Sequence, residues 1–153
     1  MRPFRVYVDT SVFGGCFDAE FAEDSRRFFA QVTGGLIVVL VSEIVERELA
    51  HAPTRVRRFY ADLPESVLVS VPVSLEVIEL RDAYVRAGVV KPASVADATH
   101  VAAATAARAD AIVSWNFNHI VRLDRIKAYN EVNLRFGWGF LTILSPRDVR
   151  FER

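Results

Sequence analysis

Short apolar runs that are typical of buried strands alternate along this chain with longer amphipathic stretches that are typical of helices. The runs predict strands over 4–9, 36–41, 67–71, 111–114 and 140–144. The amphipathic stretches predict helices over 24–33, 53–62, 74–87 and 94–108, and one that begins with Ser42 as its N-cap. Such an alternation indicates an α/β domain with a mostly parallel sheet, because parallel strands need crossover connections. The pattern does not decide the segment 120–137.

The composition is that of a globular protein, since 52% of the 153 residues are hydrophobic and 25% are charged. A chain of this length suits a single domain, residues 1–153, with a core of its own. The lone cysteine, Cys16, excludes an intramolecular disulfide, and no charged-then-apolar leader is present, so a cytoplasmic location is expected. The apolar run 36–41 is too short to span a bilayer, and no membrane partner is expected.

Acidic and basic residues balance at 19 each, so the net charge does not attract nucleic acid. Binding of RNA would therefore depend on local basic patches. The candidates, each of which is also typical of a solvated helix face, are Arg26, Arg27, Arg55, Arg57, Arg58, Arg122, Arg125 and Lys127.

Three carboxylates occupy informative places in this layout. Asp9 ends the first strand, Glu48 lies on the helix after the second strand, and Asp97 lies in the first turn of an alanine-rich helix. In open α/β sheets the carboxyl edge of the strands is where ligands bind, and two or three of these acids could converge there. Carboxylate oxygens suit hard cations such as Mg²⁺ and Mn²⁺, and a carboxylate cluster without Arg or Lys partners implies a metal.

Each acid taken alone also has an ordinary interpretation. Asp9 could cap a following turn or helix, and Asp97 could be a helix-start acid after Ser94. Glu48 shares its helix with Glu43 and Glu46, and glutamates grouped in this way are often a solvated face.

Four short motifs, in the same order and at similar separations, resemble those of PIN domains, and among these of the VapC-type toxin ribonucleases. They lie at 8–11, 42–49, 97–104 and 112–117, so the resemblance covers nearly the whole chain. It implies a Rossmann-like three-layer α/β sandwich with a five-stranded, mostly parallel sheet. It also implies a Mg²⁺- or Mn²⁺-dependent endoribonuclease in which Asp9, Glu48 and Asp97 hold the metal, with an antitoxin protein as partner and a homodimer as the expected assembly.

The sequence departs from the family pattern at one position. The family usually has a fourth acid two residues after the hydroxyl of the fourth strand, and this chain has Asn116 there. An amide is a neutral and weaker ligand, which puts a second metal ion in doubt. A PIN-fold module that binds RNA or a partner protein without cutting is therefore the alternative function.

Other side chains near these motifs have two interpretations each. Thr10, Ser114 and His100 could support the carboxylates, or could bond to local backbone and pack in the core. Trp115 could stack a base or pack, and His119 could contact RNA or close a turn. The aromatic residues on the helices, which could form a dimer or antitoxin surface or belong to the core, are Phe28, Phe29, Phe59 and Tyr60.

A phosphoaspartyl domain also places an acid at the end of its first strand. Phosphatases of that type need a second Asp two residues later, where this chain has Ser11. Receiver domains need a lysine near the last strand, where this chain has Leu144-Ser145-Pro146. Of the three candidate functions, namely ribonuclease, binding module and phosphotransfer domain, phosphotransfer is therefore the weakest.

Overall fold

The computed structural model describes residues 2–151. Its five strands form one sheet in which every neighbouring pair is parallel. The strands are β1 (Phe4–Val8), β2 (Ile37–Val41), β3 (Leu68–Ser70), β4 (Ala111–Val113) and β5 (Ile143–Leu144). Seven α-helices accompany them within the described residues: α1 (Thr10–Gly15), α2 (Ala22–Thr33), α3 (Glu43–Leu49), α4 (Thr54–Ala61), α5 (Leu75–Arg86), α6 (Val95–Ala106) and α7 (Leu123–Arg135). The architecture is the three-layer α/β sandwich that the sequence predicted.

The strand order is β3-β2-β1-β4-β5, so the chain builds one side of the sheet outward from β1 and then returns to build the other. The order reverses between β1 and β4. In sheets of this kind ligands bind outside the carboxyl ends of the strands at that reversal, because the connecting segments diverge there and leave a crevice. The fold therefore points to the segments directly after Val8 and Val113.

The central strands are buried because the sequence makes them almost wholly apolar. Tyr7, Val8, Leu40 and Ile112 have no measurable exposure. Continuous β-branched and aromatic runs are what a parallel sheet covered on both faces requires. Removing such a side chain, as in Ile112→Ala, costs about 2–5 kcal/mol of stability.

Most predicted elements are present with small shifts at their ends. The helix predicted over 74–87 is α5, and Gly88 follows it with a φ of 76°, the left-handed conformation that glycine adopts without strain. The undecided segment 120–137 is mostly helix, α7. A helix after β1 was one interpretation of Asp9, and α1 is that helix.

The last strand is shorter than the predicted 140–144. Phe140 is 68% exposed and lies outside the sheet, and only Ile143–Leu144 pair with β4. Leu141 is instead held by Asn130 on α7, whose amide accepts from the Leu141 nitrogen at 2.7 Å and donates to its carbonyl at 3.0 Å. These side-chain bonds take the place of strand pairing at Leu141, whereas the Thr142 carbonyl still accepts from the Ile112 nitrogen of β4.

The aromatic residues of the helices, for which an interface and a core position were both possible, pack in the core or against it. Phe28 and Phe29 are almost fully buried, and Phe59 and Tyr60 are half-buried against them or their neighbours. Phe29 makes edge contacts with both Phe28 and Phe59. In residues 2–151, no helix combines the length and apolarity needed to cross a membrane.

Candidate active site

The carboxylate of Asp9 lies at the reversal of the strand order, between the ends of the two central strands. β1 ends at Val8, Asp9 is extended, and α1 begins at Thr10. The Ser11 hydroxyl donates to Asp9 Oδ1 at 2.5 Å, and the Ser114 hydroxyl, directly after β4, donates to Oδ2 at 2.8 Å. Asp9 is only 5% exposed, so both of its oxygens are held in a nearly dry position.

The two serine hydroxyls are themselves oriented by backbone. The Trp115 nitrogen donates to the Ser11 hydroxyl oxygen, and the Asn116 nitrogen donates to that of Ser114, both at 2.9 Å. A hydroxyl that accepts from backbone keeps its single hydrogen for the carboxylate. The loop after β4 therefore fixes the orientation of the Asp9 side chain.

The pKa of Asp9 is raised, chiefly because burial disfavours its charged form and in smaller part because Glu48 carries a like charge. His100 and the bonds from Ser11 and Ser114 act in the opposite direction but do not outweigh burial. A carboxylate in this state is more easily ionised when a cation lies beside it.

Glu48 extends from α3 to the same region. Its Oε1 accepts a hydrogen bond from Thr10 Oγ1 at 2.8 Å and one from His100 Nε2 at 2.6 Å. Burial by itself would raise the pKa of Glu48, but the interaction with His100 and the bond from Thr10 outweigh it and lower the pKa. Glu48 therefore stays ionised, and its side chain is 41% exposed to solvent.

Asp97 lies in the first turn of α6, where the sequence placed it. Burial raises the pKa of Asp97, and the charge of Glu48 raises it further, whereas the neighbouring His119, His100 and Asn116 lower it. Asp9 and Asp97 thus both interact electrostatically with Glu48 and with His100.

Asn116 also shapes the loop that it occupies. Its Oδ1 accepts from the backbone nitrogens of Asn118 at 3.2 Å and His119 at 2.9 Å. The amide oxygen therefore caps the turn after β4. Asn116 closes this local turn and also lowers the pKa of Asp97.

The arrangement joins the predicted residues in two hydrogen-bonded groups, since Asp9 bonds to Ser114, and Thr10 and His100 bond to Glu48. Asn116 is a neighbour of Asp97 that lowers its pKa. Among residues 2–151, no three His, Cys, Asp or Glu side chains lie close enough to form a metal cluster by themselves. An ion held here would have to complete its coordination with water or substrate oxygens.

The competing glutamates of α3 have other partners. Glu43 is largely exposed and pairs with Arg47 at 3.6 Å, and Glu46 accepts from the Tyr60 hydroxyl at 3.5 Å. Both are typical of a solvated helix face. Glu48 is the glutamate of α3 that bonds to Thr10 and His100.

Trp115 is a packing residue. It is 6% exposed, its Nε1 donates to the Ser25 hydroxyl at 2.8 Å, and its ring stacks on Phe21 with centroids 4.2 Å apart. These contacts favour the packing interpretation over base stacking.

Several of the basic candidates are bonded within the protein. Arg27 pairs with Asp24 at 2.8 Å, Arg122 pairs with Asp124 at 2.6 Å, and Arg26 donates to the Cys16 carbonyl at 2.9 Å. Pairs of this kind reduce the charge available to a phosphate. Two of the candidates, Arg26 and Arg55, also have their guanidinium groups near the ring of Phe17.

Three contributors to the site had not been singled out from the sequence. Ser11 is visible only as part of the first motif, and Tyr7 and Ser42 looked like an ordinary strand residue and an ordinary helix cap. The Ser42 hydroxyl makes no cap bond and instead lies 2.7 Å from the hydroxyl of Tyr7, which lies 2.8 Å from His100 Nδ1. Burial raises the pKa of Tyr7, so this phenol stays protonated.

Comparison with known proteins supports the fold. No protein-family model matches the sequence, and no curated protein matches it either. Among solved structures, VapC20 of Mycobacterium tuberculosis, a toxin that cleaves the sarcin-ricin loop, matches with a TM-score of 0.57 and 18% identity, over 74% of this chain and 92% of that one. VapBC2 of Rickettsia felis, bound to a DNA fragment from its promoter, matches with a TM-score of 0.56 and 14% identity, over 93% and 98%. At these identities the likeness establishes the fold.

Proposed function

We propose that the chain, which has the fold of the VapC-type PIN toxins as the sequence motifs predicted, is a Mg²⁺- or Mn²⁺-dependent endoribonuclease. The proposed site consists of Asp9, Glu48, Asp97 and Asn116. The observation that supports this most directly is the Asp9 carboxylate, which is buried at the reversal of the strand order and oriented through both oxygens. Keeping an acid in such a place costs stability, so its presence is best explained by function.

The residues suit a hard divalent cation in their chemistry. Asp9, Glu48 and Asp97 offer carboxylate oxygens, and the basic side chains that lower their pKa values are histidines, not Arg or Lys. The absence of a closed three-carboxylate cluster in the described residues is compatible with Mg²⁺, which keeps several waters and uses one or two carboxylates together with substrate phosphates.

A bound cation in this position supplies Lewis acidity toward the scissile phosphate and lowers the pKa of a coordinated water. The chain contributes orientation. Ser11 and Ser114 hold Asp9, and Thr10 and His100 hold Glu48. The protein thereby presents its carboxylates in fixed directions toward the crevice where a phosphodiester would bind.

We further propose that the protein acts as the toxin of a type II toxin–antitoxin system in the cytoplasm, as a homodimer that a separate antitoxin silences. Support comes from the fold shared with VapC20 and with the VapBC2 complex. Since Phe28 and Phe29 lie in the core, a dimer or antitoxin surface must use other side chains.

The test is cleavage of a mixed-sequence single-stranded RNA by the purified protein, with Mn²⁺ and with EDTA. The variants Asp9→Asn and Asp97→Asn serve to exclude a contaminating nuclease. We expect metal-dependent products from the wild-type protein and a loss of at least about 100-fold in either variant, which corresponds to about 2.7 kcal/mol of transition-state stabilisation. Cleavage by the variants at the parent rate would refute the proposal.

A second candidate is a PIN-fold module that binds RNA or a partner protein without cutting. The observation that favours it is Asn116, whose amide fills the position of the fourth acid and serves as a turn cap. This candidate predicts binding of single-stranded RNA with no metal-dependent product. Measured turnover that Asp9→Asn abolishes would eliminate it.

A further inference from the structure

A continuous line of hydrogen bonds runs from the interior of the protein to Glu48. The hydroxyls of Ser42 and Tyr7 lie 2.7 Å apart, the Tyr7 hydroxyl lies 2.8 Å from His100 Nδ1, and His100 Nε2 lies 2.6 Å from Glu48 Oε1. Ser42, Tyr7 and His100 are at most 2% exposed, whereas the side chain of Glu48 is 41% exposed. The line therefore reaches solvent at the carboxylate of Glu48.

The direction of donation follows from what each group can do. An ionised carboxylate only accepts, so His100 Nε2 must carry a hydrogen and donate to Glu48. In the neutral ring Nδ1 is then an acceptor, and the Tyr7 hydroxyl donates to it. The Tyr7 oxygen in turn accepts from the Ser42 hydroxyl. All four groups are satisfied by one arrangement, Ser42 to Tyr7 to His100 to Glu48.

Glu48 is held through one of its two carboxylate oxygens, and the other takes no part in these bonds. The bonds from His100 and Thr10 both go to Oε1, and neither uses Oε2. A half-exposed glutamate without such bonds moves among several rotamers and loses that freedom when it binds an ion. Two donors on Oε1 remove the freedom in advance and hold the carboxylate in one direction.

We propose that Tyr7 and His100 are positioning residues, which together hold Glu48 in the orientation that binds the divalent cation. The inference rests on the proposed function, because it takes Glu48 as a ligand. Packing alone does not account for the arrangement, since a buried histidine that only filled space would not need a bond to a solvent-exposed carboxylate. Groups that orient metal ligands in this way typically contribute about 10–100-fold to metal affinity.

The test is calorimetric titration of the full-length, EDTA-treated protein with Mn²⁺, without RNA. We expect His100→Leu to weaken binding by about 10–100-fold. Tyr7→Phe, which removes only the hydroxyl, should weaken binding in the same direction by a smaller factor. Circular dichroism and the unfolding temperature establish that each variant is folded.

Tyr84→Phe is the matched control. Tyr84 is also a fully buried tyrosine, and its hydroxyl also bonds to two side chains, those of Asn133 and Thr105, in a network separate from Glu48. Its loss should lower stability without changing Mn²⁺ affinity. Equal weakening by Tyr84→Phe and Tyr7→Phe would mean that general destabilisation is the cause, and would overturn the inference.

Two further readouts separate positioning from a purely structural role. In the Glu48→Gln background, His100→Leu should cause no additional loss of Mn²⁺ affinity, because the histidine acts through the carboxylate. Nitrogen NMR of wild-type His100 should show hydrogen on Nε2 and a bare Nδ1. A hydrogen found only on Nδ1, or undiminished Mn²⁺ affinity in folded His100→Leu, would overturn the inference.

The Mn²⁺ titration distinguishes failure of the proposed function from failure of the positioning inference. If the wild-type protein itself does not bind Mn²⁺, the metal-dependent function fails and the positioning inference fails with it. If the wild-type protein binds Mn²⁺ and His100→Leu binds it equally well, only the positioning inference fails.

Discussion

The hydroxyl of Ser114 donates to Asp9 Oδ2 at 2.8 Å across the boundary between the two central strands. Asp9 follows β1 and Ser114 follows β4, so the bond joins the two halves of the fold at the place where the strand order reverses. Because Asp9 is nearly fully buried, this contact matters for stability as well as for the site.

Ser114→Ala should therefore destabilise the protein by about 1–3 kcal/mol, because the buried carboxylate loses a donor that water cannot easily replace. The Asn116 nitrogen, which donates to the Ser114 hydroxyl, loses its acceptor at the same time. Urea unfolding measures the change. Ser145→Ala is the control, since Ser145 is equally buried but bonds to Asp148 at 3.2 Å, away from Asp9. An equal loss in both variants would contradict the special role of Ser114.

Asn116→Asp would introduce the acid that the family pattern places at this position. The new carboxylate can still accept from the nitrogens of Asn118 and His119, but it places a like charge near Asp97, whose pKa Asn116 now lowers. We expect the metal-free variant to be destabilised by about 0.5–3 kcal/mol and Mn²⁺ to stabilise it more than it stabilises the wild type. Thermal unfolding in EDTA and in Mn²⁺ tests this. A variant insensitive to Mn²⁺ would argue against a cation next to residue 116.

Much of the fold could be predicted from the sequence because its signals are local. The apolar runs of β1, β2 and β4 reflect the burial of both faces of the sheet. Asp9 follows β1 at the carboxyl end of the strands. The error at 140–144 also has a physical cause. Phe140 and Leu141 have strand-forming side chains, but the bonds from Asn130 on α7 hold Leu141 outside the sheet, and no local pattern reveals a partner that lies on another element.

The site could be predicted only in part. Asp9, Glu48 and Asp97 could be proposed from their motifs, but Tyr7 and Ser42 could not be. Their hydroxyls approach each other, and Tyr7 approaches His100, only after β1, α3 and α6 have assembled. In the sequence Tyr7 is indistinguishable from any aromatic strand residue, and Ser42 from any helix cap.

Gly14 and Gly15 are neighbours in α1, but a Cβ atom would meet different surroundings at the two positions. A Cβ on Gly15 would lie 2.5 Å from the Ser25 hydroxyl and 2.7 Å from Trp115 Nε1, whereas a Cβ on Gly14 would meet nothing within 4 Å. Gly15→Ala should destabilise the protein by about 1–3 kcal/mol through overpacking. Gly14→Ala should be neutral or stabilising by up to about 1 kcal/mol, since alanine favours helix. Chemical denaturation of the two variants measures the difference, and a Gly15→Ala protein as stable as Gly14→Ala would contradict the close packing of α1 against Trp115.

The thiol of Cys16 provides a test of the core at alkaline pH. Burial raises its pKa to about 11, and the thiol is 1% exposed. In the unfolded chain a cysteine has a pKa of about 8.5. The folded state thus retains the proton more tightly, so the stability from this group is fully present below about pH 8.5 and is lost as the pH rises to about 11.

Wild-type protein should therefore lose more stability across that window than Cys16→Ala, which has no thiol to ionise, while the buried tyrosines titrate alike in both. Urea unfolding at a series of pH values measures the two slopes. Parallel slopes would mean that the Cys16 thiol has the same pKa in the folded and unfolded states, which would contradict its burial beneath α1.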